Sequence, residues 1–266
     1  MLSAKNSEVV AARKGIVRFG HQGKVGYGLW EKGRLRPFQG SPFSGGQPGD
    51  SSLALDEVKL LAPCRPSKVV AVGLNYKEHA REMKKELPTE PLLFMKPSTS
   101  LIGPGEYIVM PPISQRVDHE CELGVVLGRR CYLVSPEEAG AYILGYTCLN
   151  DVTARDLQAK DGQYTRGKGF DTFCPLGPII AQDIDPGNLA VSTKVDGNFR
   201  QDGHTSDLIF SVFELVSFIS QVMTLHPGDV IATGTPSGVG PLAAGQVVTV
   251  EVEGVGRLEN PIKARG

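Results

Sequence analysis

The sequence lacks any run near the roughly 20 apolar residues that a membrane helix requires. It also lacks an excess of either charge: 28 Lys+Arg against 29 Asp+Glu leave a net charge of −1. No broad cationic field exists to hold nucleic acid or an anionic membrane surface, so neither partner is expected. The opening residues have no apolar segment of secretory type, and a cytoplasmic location is the expectation. Five cysteines (Cys64, Cys121, Cys131, Cys148 and Cys174) form no Cys-x-x-Cys pair. Such a scattered, odd set reads as reduced thiols and argues against disulfides or a thiolate zinc site. There is no His-Glu-x-x-His, no Gly-x-Ser-x-Gly, no Rossmann glycine fingerprint and no phosphate-binding Gly-x-x-x-x-Gly-Lys-Ser/Thr. Their absence removes several common enzyme classes.

What is present is punctuation: 32 glycines and 19 prolines among 266 residues, which require many turns. A hydrophobic content of 41% still allows a substantial core. Residues 10–62 alternate apolar and polar positions between glycine-bearing turns, as short strands do. A boundary is expected near Pro63 to Pro66, giving a small N-terminal β domain (1–65) and a larger second domain (66–266). Strands are read at 67–73, 92–97, 107–112, 117–128, 230–234 and 246–253. Helices are expected over Tyr76 to Leu87 with Asn75 as its cap, from Ser135 towards Gly145, and over Asp207 to Leu225. Strands outnumber helices, so the fold class is α+β and strand-rich.

Several residues carry possible chemistry. Glu120 and Glu122 stand two apart in an apolar strand and share a face, where two carboxylates repel unless a cation joins them. Oxygen ligands of this kind suit Mg²⁺, Mn²⁺ or Ca²⁺; the alternative is an exposed edge with two solvated acids. Asp151 ends an apolar strand and either supplies a third carboxylate or caps the following turn, with Arg155 and Gln158 close behind. Lys168, between two glycines, can neutralise bound carboxylates or idle on a surface turn. Thr233 to Gly238 forms either a nest for a carboxylate or simply a tight turn. His79 and Glu82, spaced i and i+3, form either a base dyad or a surface ion pair. His119, His204 and His226 have no partner pattern and read as structural.

Taken in order, Gly73-Leu-Asn-Tyr-x-x-His79-x-x-Glu82, Glu120-x-Glu122-Leu-Gly, Asn150-Asp151-Val-Thr-Ala-Arg155-Asp-x-Gln158, Arg166-Gly-Lys168-Gly-Phe-Asp-Thr-Phe and Gly234-Thr235-Pro-Ser-Gly resemble the fumarylacetoacetate hydrolase family over about residues 67–264. The leading module resembles that of the family's bacterial 2-hydroxyhepta-2,4-diene-1,7-dioate isomerase branch. The resemblance implies a homodimer whose catalytic domain is a mixed β-roll. It implies Mg²⁺ or Mn²⁺ on Glu120, Glu122 and Asp151, with Lys168 beside them, a His79–Glu82 dyad on a segment that orders over substrate, and Arg155, Gln158 and Thr235 as substrate contacts. The expected substrate is a small 2-oxo or 2-hydroxydienoic (di)carboxylic acid. Isomerisation or decarboxylation leads, with acylpyruvate-type C–C hydrolysis or oxaloacetate decarboxylation as competing reactions and a metal-stabilised dicarboxylate-binding protein as the non-enzymatic rival.

Overall fold

The computed structural model describes residues 6–265; residues 1–5, at the head of the expected N-terminal domain, and Gly266 lie outside the described residues. Three N-terminal strands, β1 (Lys14–His21), β2 (Lys24–Glu31) and β3 (Arg34–Gln39), form a meander. They are followed by β4 (Val69–Gly73), α1 (Lys77–Glu82), β5 (Leu92–Lys96), β6 (Val117–His119), β7 (Cys121–Leu127) and β8 (Ile143–Asn150). Next come α2 (Arg155–Asp161), α3 (Tyr164–Lys168), β9 (Cys174–Ala181), β10 (Ala190–Val195) and β11 (Asn198–His204). The chain ends with α4 (Val212–Val222), β12 (Val230–Ala232), β13 (Val247–Val252) and β14 (Gly256–Ala264).

A 12-stranded sheet runs from Gln47–Pro48 through β3, β2, β1, β9, β8, β7, β12 and β4 to β5. The N-terminal meander is thus continuous with the central sheet, through Gly15↔Ala181 and Ile16↔Ile180. A second sheet orders β11, β10, β13, β14 and Ile108–Met110. The architecture is strand-rich α+β with mixed sheets and a small leading module, as the sequence predicts.

The near-continuous apolar runs of β4, β7 and β12 follow from burial on both faces. Val70, Val72, Leu123 and Val125 pack in one core with Leu215, Val216 and Ile219 of α4, whereas Val69, Ala71, Val126 and Ala232 pack in another. Strands β12 and β4 run parallel, pairing Val230 with Val69 and Ala232 with Ala71.

Three helix expectations need correction. The first helix is Lys77–Glu82 only, and Asn75 does not cap it. Its buried amide instead donates to the carbonyls of Thr233 (2.8 Å) and Phe210 (3.1 Å) and accepts from the Phe210 N–H (2.8 Å). The helix stops where Lys84 turns left-handed (φ 52°). The helix after Ser135 spans Pro136–Ala139 and a single 3₁₀ turn, because Ile143 onward joins β8. Helix α4 is shorter than the expected Asp207 to Leu225: it spans Val212–Val222, capped by Ser211 with Glu214 closing the capping box. One strand expectation also changes: the run from Val117 is interrupted at Glu120, which belongs to neither β6 nor β7.

Candidate metal and catalytic site

The end of the β7–β8 ladder builds the acidic centre. Cys121 pairs with Asn150 and Glu122 with Leu149, so Glu120 and Asp151 lie one residue beyond the last rung. The Glu120 N–H donates to Asn150 Oδ1 (3.0 Å), and its carbonyl accepts from the Asp151 N–H (2.9 Å). These bonds draw the three side chains inward, and one oxygen from each of Glu120, Glu122 and Asp151 lies within 4.8 Å of the others. All three residues are buried.

The surrounding cations are divided unevenly. Lys168, the last residue of α3, reaches Glu120 Oε2 (2.7 Å) and Asp151 Oδ2 (2.6 Å). Arg155 pairs with the other Glu120 oxygen, with Asp118 (3.0 Å) and with Gln158 Oε1 (2.7 Å). Lys96, at the end of β5, spends its three N–H bonds on Asp151 Oδ1 (2.6 Å), the Val152 carbonyl (3.2 Å) and the Lys168 carbonyl (2.5 Å). Glu122 has only the Gly234 N–H (2.8 Å) and, among the described residues, no ion pair.

Electrostatics follow this division. Burial opposes ionisation of Glu120, but the Lys168 ammonium and the Arg155 guanidinium outweigh it and hold the carboxyl below its ordinary range. Burial pushes Glu122 well above that range, and the charges of Asp151 and Glu120 add to the effect. A hard divalent cation would supply the positive charge missing at Glu122, and the three carboxylates offer the all-oxygen donor set that such an ion takes.

His79 Nδ1 lies 2.9 Å from Glu82 Oε2, and Glu82 also accepts from the Gly238 N–H at 3.3 and 3.4 Å. A cavity of about 420 Å³ is lined by seven of the nine nominated residues, including His79, Glu122, Gln158 and Thr235. The other two, Glu82 and Asp151, are hydrogen-bonded to His79 and Lys168. Phe94 and Tyr164 contribute an aromatic wall, packed edge to face at 5.2 Å, with Lys168 Nζ 5.0 Å from the Phe94 ring centre. A larger groove of about 800 Å³ beside β5 contains none of the three carboxylates.

Two nominated substrate contacts are already engaged. The Thr235 hydroxyl donates to the Cys121 carbonyl (2.9 Å) and accepts from Gln201 Nε2 (2.7 Å), leaving one lone pair. Arg155 keeps only part of its donor fork free. The Thr233–Gly238 segment gives one N–H each to two of the protein's own carboxylates, Gly234 to Glu122 and Gly238 to Glu82, and does not converge its amides on a single anion. Gly234 (φ 98°) is required there, since a Cβ would stand 2.8 Å from that of Asn75. Sequence reasoning missed Lys96, whose signal was a lysine inside the apolar strand Leu92–Lys96. It also missed Asp118 and Gln201, polar groups buried by other elements, which leave no local pattern.

The fumarylacetoacetate (FAA) hydrolase C-terminal family model matches residues 68–263, and a model of the Rv2993c-like N-terminal type matches residues 16–63. The structure resembles that of 2-hydroxyhepta-2,4-diene-1,7-dioate isomerase from Mycobacterium marinum: TM-score 0.88 and 42% identity, covering 95% of this chain and 99% of that one. It is similarly close to 5-carboxymethyl-2-hydroxymuconate delta-isomerase from Mycobacterium smegmatis, with TM-score 0.87 and 42% identity over 94% of this chain and 100% of the other. A mitochondrial oxaloacetate tautomerase of Bos taurus is 43% identical over 223 residues, 79% of this chain and 71% of that protein. The family match spans most of the chain and contains the whole acidic centre: the protein belongs to the fumarylacetoacetate hydrolase family.

Proposed function

We propose that this protein is a divalent-metal-dependent enzyme that moves a proton on a 2-oxo or 2-hydroxydienoic dicarboxylic acid, in the manner of a 2-hydroxyhepta-2,4-diene-1,7-dioate isomerase/decarboxylase. The observation that carries the reading is one cavity of about 420 Å³ lined by His79 together with Glu120, Glu122 and Lys168. Members of the family are generally enzymes acting on small molecules, which sets the same frame. A cation held by Glu120, Glu122 and Asp151 would supply Lewis-acid polarisation of the 2-oxo acid and stabilise enolate charge.

The protein's own groups provide the proton chemistry. With Nδ1 of His79 bonded to Glu82, Nε2 is left to accept a proton from the carbon beside the oxo group, and the Glu82 carboxylate stabilises the resulting imidazolium. Returning the proton at a different carbon completes an isomerisation. Gln158 and the unused Arg155 donors are assigned to the proximal carboxylate. Of the three lysine and arginine side chains lining the cavity, Arg155 and Lys168 are ion-paired and Lys85 has no ion pair among the described residues. Lys85 therefore suits a second, distal carboxylate. The homodimer belongs to the same reading and is supported by the outer edge of β5, where Leu92 and Met95 are each 51% exposed.

Keto–enol tautomerisation of oxaloacetate is the second reading, favoured by the bovine relative and by a proton transfer at the same carbon. Ultraviolet absorbance of a 2-hydroxydienoate, oxaloacetate and an acylpyruvate with Mg²⁺ or Mn²⁺ separates the outcomes. Loss of the dienoate chromophore supports the isomerase, accelerated oxaloacetate enol decay the tautomerase, and CO₂ release the decarboxylase. Acylpyruvate cleavage establishes a hydrolase, and binding without any change establishes a dicarboxylate-binding protein. His79→Ala is expected to slow turnover by about a hundredfold or more while retaining Mn²⁺, measured by steady-state kinetics and metal titration. An unaltered rate removes the dyad.

A further inference from the structure

Gln201 lies on β11, in the second sheet, and is nonetheless buried against the acidic strand and the loop that holds both Glu122 and Glu82. Its Nε2 donates to Thr235 Oγ1 (2.7 Å) and to the Pro236 carbonyl (2.9 Å). Its Oε1 accepts from the Cys121 N–H (3.0 Å) and from the Thr193 hydroxyl (3.0 Å), and lies 2.9 Å from His119 Nδ1. The amide has only one possible orientation. A backbone N–H at one end must meet oxygen, and a backbone carbonyl at the other must meet the NH₂. The same logic places the His119 proton on Nδ1, leaving Nε2 as a buried acceptor without a partner.

Two glycines bring the loop against the same strand. A Cβ on Gly203 would strike Pro236, and a Cβ on Gly238 (φ 91°) would strike the Arg200 carbonyl. From this bed the Gly238 N–H reaches Glu82 and the Gly234 N–H reaches Glu122.

We propose that Gln201 is a positioning residue that locks residues 233–238 between the two sheets, so that the His79–Glu82 pair and the carboxylates of the acidic centre keep a fixed separation. The kinetic part rests on the proton-transfer reading of His79; the structural part does not.

The test is Gln201→Leu, with Thr193→Val as a control that removes a partner of the same amide oxygen without touching the loop. Hydrogen exchange at the Gly234 and Gly238 amides should accelerate at least about tenfold in Gln201→Leu and remain at the wild-type rate in Thr193→Val. kcat should fall at least about tenfold with a much smaller change in KM, because loosened geometry is felt most in the transition state. Gln201→Asn, which retains a shortened amide, should recover part of both losses. Wild-type exchange at both amides in Gln201→Leu overturns the proposal, as does an equal acceleration in Thr193→Val. If Gln201→Leu does not fold, exchange in Gln201→Asn decides: protection equal to wild type overturns it. A wild-type protein inert towards every substrate defeats the proton-transfer reading and leaves the exchange result standing.

Discussion

Strand β12 is bracketed by two buried carboxylate sites of opposite character. At its start, Asp229 accepts from the Ser67 N–H (2.9 Å) and hydroxyl (2.7 Å), the Lys68 N–H (3.2 Å) and ammonium (2.6 Å), and the His226 N–H (2.8 Å). Two residues past its end, Gly234 offers Glu122 a single N–H. A carboxylate saturated with donors does structural work: here it ties the entrance of β4 to that of β12. A carboxylate left almost bare, 4.8 Å or less from two others, is costly to ionise, and a cation from beyond the chain could complete it.

That contrast is open to direct attack, and the largest effect is expected at Glu122. Glu122→Gln keeps an acceptor for the Gly234 N–H and removes a carboxyl whose ionised form the chain itself does not compensate. Turnover should fall by at least about a hundredfold, consistent with the several kcal/mol that a metal supplies to transition-state charge. Mn²⁺ retention should be lost, while the urea midpoint of the chelator-treated protein should equal or exceed that of wild type. Full activity of this variant under chelator would sink the metal assignment.

The reverse pattern is expected for Asp229→Ala. It leaves a half-buried ammonium and several N–H and O–H donors without their acceptor, so stability should drop by about 2 to 4 kcal/mol, each unsatisfied donor costing about 1 to 3 kcal/mol where water cannot reach it. Mn²⁺ affinity under native conditions should not change. A parallel loss of metal affinity would mean that β12 transmits strain from one carboxylate to the other, and the two ends would not be separable.

The same contrast explains how far the sequence could be read. Residue types alone left Glu120, Glu122, Asp151, Lys168, His79 and Glu82 each with a plain structural alternative, and only the order of their motifs, matched to a known family, nominated them as one set. Strands carried by an apolar run or a clean alternation were legible, whereas β9, β10, β11 and β14 were not read. Asn75 and the first helix were misread because capping is a local rule, and here the amide is captured by Thr233 and Phe210, more than a hundred residues away. Gln201 and Asp118 were invisible for the same reason. Their partners come from other elements, and no spacing along one strand records that meeting. Lys96 marks the boundary: an apolar strand carrying one lysine is a signal that a buried anion awaits it, but the signal does not say which anion.

The smallest effect, and the sharpest test of what saturation means, belongs to Lys68→Met. Burial works against the charge on Asp229, but the Lys68 ammonium and the donors from His226 and Ser67 outweigh it and hold the carboxyl below its ordinary range. A depressed carboxyl contributes stability that is present above the unfolded pKa, about 3.9, and is lost as pH falls through the lower folded value. Removing Lys68 leaves four of the donor contacts in place, and its side chain is 20% exposed, so the cost near neutral pH should be only about 1 kcal/mol. Because the ion pair exists only while Asp229 is ionised, the gap between wild-type and variant urea midpoints should narrow once the pH drops below about 3. A gap that persists unchanged in acid would show that Lys68 contributes through its packed methylenes and not through its charge, and Asp229 would then owe its ionisation to the backbone N–H groups and the Ser67 hydroxyl.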